Sequence, residues 1–365
     1  MKIATLIEKL ENWAPMPLQE SYDNCGLLVG NYNNICTGVL CNLDVTEEVI
    51  DEAIAKNCNL IISHHPLIFS GLKKINGNNA VEKCVIKAIQ NNIALYAIHT
   101  NLDNIVTGVN SIIAQKIGLV NTTILLPKNN ILQKLYTFVP TQYLPKVQEA
   151  LFNAGAGEIG NYSNCSYYIN GTGTFKANDN TNPFVGKKGE THFEQEEKLE
   201  VIFPAWLQNK VVTALKNSHP YEEVAYDIVT LNNDYIQTGS GIIGNLPEPV
   251  SEKNFLQNLK QVFDLQVIKH SPLLQKPITK VAICGGAGSF LIKHAIKAKA
   301  DIYITADLKY HDYFEHNQKL VIADIGHYES EQFTTLLIIN FLQQNFPNFA
   351  VLKSEVTTNP VQYFV

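Results

Sequence analysis

The chain has 365 residues, 45% of them hydrophobic and 17% charged, with a formal net charge of -6. That length exceeds one ordinary domain, and the composition excludes the disordered and fibrous classes. The acidic balance argues against nucleic acid as the main partner, because phosphate binding needs a concentrated basic face.

In chain order, a helix over 3–13 is followed by SYDNCGLLVG, by GVLCNLDVT, by a helix over 47–56, and by the apolar run NLIIS leading into His64. A helix over 80–91, a strand IALYAIHT and a helix over 109–117 continue the alternation, which predicts a mainly parallel sheet. From Leu135 the order becomes strand LYTFVP, helix LPKVQEALFNAG, strand CSYYINGTGTF, strand KLEVIFP, helix WLQNKVVTALKNS and strand AYDIVTL. That is βαββαβ, a ferredoxin-like order. The polar segment 176–197 reads as a mobile hairpin excursion without core-forming residues. The α/β rhythm resumes near Gly239 with a helix over 255–263, KVAICGGAG, a helix through His294, ADIYITADLKYHD, KLVIADIGH and a long helix over 330–346. The domains are therefore 1–130 and 236–365, two parts of one α/β core, with 131–235 inserted between them.

Five side chains follow short apolar runs that read as buried strands: His64, His65, Asp103, His327 and Glu331. Strand ends open into a crevice in α/β sheets, so these groups can converge there on metal. Adjacent side chains on an extended strand point apart, so the neighbouring histidines of SHHP suit two ions better than one. His327 and Glu331 are four apart where a helix begins and can face the same way. Three histidines and two carboxylates suit zinc, iron or manganese alike, as two divalent ions per chain.

The seven cysteines are odd in number, with no CxxC pair, which reads as reduced, buried thiols rather than ligands or disulfides. No uncharged apolar stretch nears the about 18 residues needed to cross a bilayer, and the N-terminus is not leader-like. A cytoplasmic location without a membrane partner is expected. CGGAG can be an anion cradle or a tight strand-to-helix turn. Asp307, Lys309, His311 and Asp312 can contact substrate or shape a surface turn. Asp23 and Asn24 fit a turn or the crevice rim, and His219, Glu222 and Glu223 fit a second metal site or a turn into a strand.

YDNCGLLVG, SHHPLIF, IHTNLD, TADLKYHD and GHYESE resemble, in order, five motifs of the Nif-three-like family, whose bacterial members are labelled GTP cyclohydrolase type-two homologues. The resemblance spans nearly the whole chain. It implies a two-part Nif-three-like α/β core and a dinuclear site at His64, His65, Asp103, His327 and Glu331, the set found by spacing. HPYEEVAYDI is similar to the end of a CutA-like or PII-like insert, itself ferredoxin-like. Tyr22 stands where Trp is usual, Cys25 takes a variable place, and Ala306 replaces a glycine, where it is expected to narrow the crevice.

These readings point to a dinuclear-metal hydrolase acting on a nucleotide-like or other small polar substrate through an activated water. His99 serves as catalytic general acid or base, a role histidine suits near neutral pH. The alternative is a non-enzymatic metal-handling or regulatory protein whose PII-like insert engages a partner. The resemblance further implies a homo-oligomer, a toroidal hexamer. A ring enclosing DNA would be a third role, which the acidic balance opposes.

Overall fold

The computed structural model describes residues 1–364. Ile3, Leu6, Ile7 and Leu10 recur at helical spacing, so α1 (Ile3–Trp13) has one apolar face, and that face is buried. After β1 (Gly26–Val29) and β2 (Val39–Asn42), α2 (Glu47–Ala55) starts where the Thr46 hydroxyl accepts from Val49 N at 3.4 Å. β3 (Leu60–Ser63) is buried at every position, as a strand covered on both faces must be. Next, α3 (Ala80–Gln90) is capped by Asn79, whose Oδ1 accepts from Glu82 N at 2.9 Å. β4 (Ala94–Ala97), the one-turn α4 (Thr100–Asp103), α5 (Val109–Lys116) and β5 (Val120–Lys128) complete this stretch.

Lys128–Tyr235 forms a compact unit of its own, and the segments on either side form the other. The inserted unit runs β6 (Leu132–Pro140), α6 (Leu144–Asn153), β7 (Ser166–Lys176), β8 (Thr191–Pro204), α7 (Gln208–Ser218) and β9 (Tyr226–Thr230). Its sheet order is β7-β8-β6-β9 with antiparallel pairs, a ferredoxin-like arrangement. Leu135, Val139, Val147, Leu151, Val201, Phe203 and Leu215 fill its core.

The chain returns through β10 (Tyr235–Ser251), α8 (Glu252–Val262), β11 (Lys269–His270), β12 (Pro277–Ala287), α9 (Ile292–Lys297), β13 (Ile302–Ala306) and β14 (Val321–Asp324). It ends with α10 (His327–Glu331), α11 (Thr334–Asn345) and β15 (Val351–Lys353). One sheet of this larger unit has the order β1-β4-β3-β2-β15, with β4, β3, β2 and β15 parallel. The other has the order β11-β14-β13-β12-β10-β5, parallel through β14, β13 and β12. Among the described residues no helix is long and apolar enough to cross a membrane.

Three readings are corrected. The helix expected over 330–346 is two helices, α10 and α11, and α10 already begins at His327. Residues 191–197 are not part of a coreless excursion: they belong to β8, where Glu196 and Glu197 are buried. β5, β10 and β15 went unread because β5 opens on four exposed residues, three of them polar, β15 is very short, and β10 carries glycines and prolines that weaken a strand signal.

Leu40 is fully enclosed by apolar neighbours, so Leu40→Ala should lower stability by about 2–5 kcal/mol, and Asn79→Ala by about 1 kcal/mol through loss of the cap. Denaturant melts check both.

Candidate metal centre

The SHHP segment extends the β3 ladder past its end: His64 N donates to Asn42 O at 3.3 Å and His65 N to Leu43 O at 2.9 Å. This fixes both histidines at the carboxyl ends of parallel strands. At the end of β4, Ile98 N donates to Ser63 O at 2.9 Å, and the chain then turns through His99 into α4, which carries Asp103. From the second sheet, β14 leads through Gly326, at φ 91°, into α10 with His327 and Glu331.

The five residues meet around Glu331, whose side chain is 3% exposed. Its Oε2 lies 3.0 Å from His65 Nε2 and 3.1 Å from His327 Nε2, and the two imidazole nitrogens are 3.3 Å apart. Its Oε1 is 3.8 Å from His64 Nε2, which is 3.6 Å from Asp103 Oδ1. Each imidazole is anchored through its other nitrogen. His64 Nδ1 donates to Ile98 O at 2.8 Å, His65 Nδ1 to Asp44 at 2.8 Å, and His327 Nδ1 to Asp307 at 2.7 Å. Carbonyls and carboxylates only accept, so every ring has its Nδ1 proton assigned and turns Nε2 inward.

His64 decides what the cluster can hold. It is fully buried, its Nε2 has no hydrogen-bond partner, and that lone pair faces two carboxylate oxygens too distant to bond to it. Metal bonds of about 2.0–2.2 Å at tetrahedral angles place neighbouring ligand atoms about 3.3–3.6 Å apart, close to this spacing. The donor set therefore fits a cation, with Asp44 and Asp307 supporting the rings as carboxylates do behind metal-ligating histidines. Burial disfavours the charged rings, yet Asp44 and Glu331 raise His65 to about 10, and Glu331 and Asp307 raise His327 to about 9. Burial and the Glu331 carboxylate push Asp103 up to about 7.

His99 stands beside the cluster, its ring 5.2 Å from those of His64 and His65. His99 Nδ1 donates to Asp23 Oδ1 at 2.8 Å, and Asp23 Oδ2 also accepts from Thr100. Burial works against the Asp23 charge, but these bonds hold its carboxyl well below the usual range. Asp23, its side chain fully buried, braces His99, while Asn24 bonds Ile68 O at 2.6 Å and donates its N–H to Asp23 Oδ1 at 2.7 Å in a turn.

Of the TADLKYHD run, Asp307 alone bonds a clustered imidazole. Asp312 accepts from Lys309 N at 2.8 Å to close a turn, and His311 packs on Tyr310 and Phe314. Ala306 is fully buried at the end of β13. His219 has both nitrogens engaged, by Phe138 O and by Tyr221 N, which closes the second-metal reading there. All seven cysteines are free, six of them buried, and burial pushes the Cys284 thiol up to about 12.

Sequence reading did not pick out Asp44, and it took Gly286 only as part of the CGGAG turn. Asp44 follows β2, next to β3, so the strand-end rule that found Asp103 could have found it. Gly286 sits at φ 61° where a Cβ would collide with Glu331 Oε1. The CGGAG glycines thus leave room for the Glu331 carboxylate, beside their turn into the following helix.

Residues 1–360 match the family Duf34/NIF3 (NGG1p interacting factor 3). The chain belongs to the NIF3 family. A Halalkalibacterium halodurans relative named GTP cyclohydrolase 1 type 2 homolog is 43% identical over 315 residues, 85% of each chain. A Bacillus subtilis relative of the same name is 36% identical over 98% of this chain and 97% of its own. A solved Bacillus cereus protein related to NIF3 is 37% identical, covers 100% of this chain and 99% of its own, and superposes with a TM-score of 0.86. The fold is that of NIF3 proteins.

Gly286→Ala should therefore force Glu331 aside and strain the backbone, lowering stability by about 1–3 kcal/mol. A denaturant midpoint matching the native chain would show that the carboxylate has room to move.

Proposed function

We propose that this NIF3 protein holds two divalent cations and hydrolyses a nucleotide-like or other small polar substrate. His64, His65, Asp103, His327 and Glu331 would hold the ions, with Glu331 at the centre of the set. The observation that carries the reading is the buried His64 Nε2, unpartnered and facing two carboxylates. Bound cations of this kind supply Lewis acidity and lower the pKa of water, the chemistry that purine-ring opening or phosphoester hydrolysis needs. The relatives' shared name, GTP cyclohydrolase 1 type 2 homolog, fits that chemistry.

The chain's own residues do the rest. Asp44, Asp307 and the Ile98 carbonyl keep three imidazoles in one tautomer. Asp23 orients His99 with its Nε2 free to take or give a proton beside the cluster. The exposed face of His327 leaves the site open to a ligand, whereas His64 and Glu331 close its floor. Assembly is part of the proposal: a homo-oligomer, a toroidal hexamer, which light scattering checks.

Elemental analysis of the native chain should find two ions, and of Glu331→Ala, fewer. Metal-loaded protein screened against nucleotides should then yield a hydrolysed product. Two ions with no product from any nucleotide or phosphoester would replace the hydrolase by the metal-handling reading; absence of bound metal would overturn both. Asp44→Asn should weaken metal binding about 10–100-fold, measured by chelator competition. His99→Gln should keep both ions and slow turnover by about 10²–10⁴-fold. Loss of an ion in that variant would make His99 a ligand instead.

A further inference from the structure

The inserted unit has a cavity of about 690 Å³ between β7, the 177–190 loop and the 221–225 turn. That volume suits a small organic molecule. On its lining is Glu196 of β8, only 7% exposed. Tyr221 donates its hydroxyl to Glu196 Oε1 at 2.8 Å, while among the described residues no group donates to Oε2. A carboxylate on a cavity wall with one oxygen uncommitted can accept from a further donor or face a positive charge.

The strand beside it has been shaped around that carboxylate. Gly171 pairs with Glu196 across the β7–β8 ladder, and a Cβ on Gly173 would collide with the Glu196 carboxylate. Glycines inside a strand weaken it and mark a close approach. Here the approach is made by Glu196 itself, leaning over Gly173 on the cavity wall.

Aromatic rings complete the surround. Tyr221 lies 6.2 Å from Phe175 and 6.2 Å from Phe184, centroid to centroid, and Phe184 packs on Tyr143 at 5.6 Å. The loop that carries Phe184 is tied down by Asn182 N donating to Glu222 Oε1 at 2.8 Å. Lys198, also on the lining, is already 3.2 Å from Glu200 and stacked over Tyr136. Of the two lysines on the lining, Lys176 is the one without such an ion pair among the described residues, against three carboxylates, Glu196, Glu222 and Glu223.

We propose that this cavity binds a small organic cation, an ammonium or quaternary ammonium group on an apolar body, with Glu196 as counter-ion and Phe175, Phe184 and Tyr221 as the aromatic wall. Ring faces attract such cations more strongly once water is excluded. The site is separate from the metal cluster and does not depend on the reading given there.

Saturation-transfer NMR on the full chain with choline, and with its neutral carbon isostere 3,3-dimethylbutan-1-ol, tests the proposal. Choline should bind about tenfold more tightly than the isostere, a difference of about 1.4 kcal/mol. Glu196→Gln should erase that preference. Phe184→Ala, on the exposed rim, should weaken choline without moving the melting temperature. Equal binding of cation and isostere, no binding of choline, or a preference that survives Glu196→Gln would each overturn it.

Discussion

A carboxylate with almost no exposed surface, Glu331, faces three imidazoles, and the larger unit is organised to make that tolerable. Burying a charge without compensation is very unfavourable, and removing one partner from such a cluster typically costs about 3–5 kcal/mol. The partners come from both sheets of the core. His64 and His65 follow β3 and Asp103 sits on α4, all early in the chain, whereas His327 and Glu331 come from a helix near its end. The parallel strands serve as rigid mounts, and the backbone bonds that continue β3 past Ser63 hold two consecutive histidines in place. Packing sets position, and electrostatics then decides what can sit among the inward nitrogens.

The clustered set was legible because each member follows an apolar run short enough to be a buried strand, and strand ends are where side chains can converge. His327 and Glu331 also share a helical face. What stayed hidden was the set of residues that supports the cluster. Asp44 looks like any acidic residue after a strand, and only the parallel pairing of β2 with β3 brings it behind His65. Gly286 reads as turn chemistry until Glu331 is seen in the space beside it.

The inserted unit was legible in its element order, because βαββαβ survives small errors of boundary. Its interior was less so. Glu196 and Glu197 look like surface residues in an acidic run, yet β8 turns both into the protein, where Tyr221, Thr141 and Asn170 bond to them. Alternation of hydrophobicity cannot reveal a buried carboxylate whose partners lie elsewhere in the sequence. β10 was unreadable for a related reason: its glycines fit against other backbone segments that only the folded sheet supplies.

The inserted unit leaves the core at the end of β5 and rejoins it at the start of β10, and these two strands are neighbours in one sheet. Paired strands lie about 4.8 Å apart, so the excursion spans a gap that a short turn could close. The entropy of closing such a loop grows only logarithmically, by about 0.6 kcal/mol per doubling of length. The core therefore treats everything between those strands as a replaceable cassette. Evolution can lengthen, trim or swap it without disturbing the strand ends that hold the histidines, which leaves the two units free to diverge at separate rates.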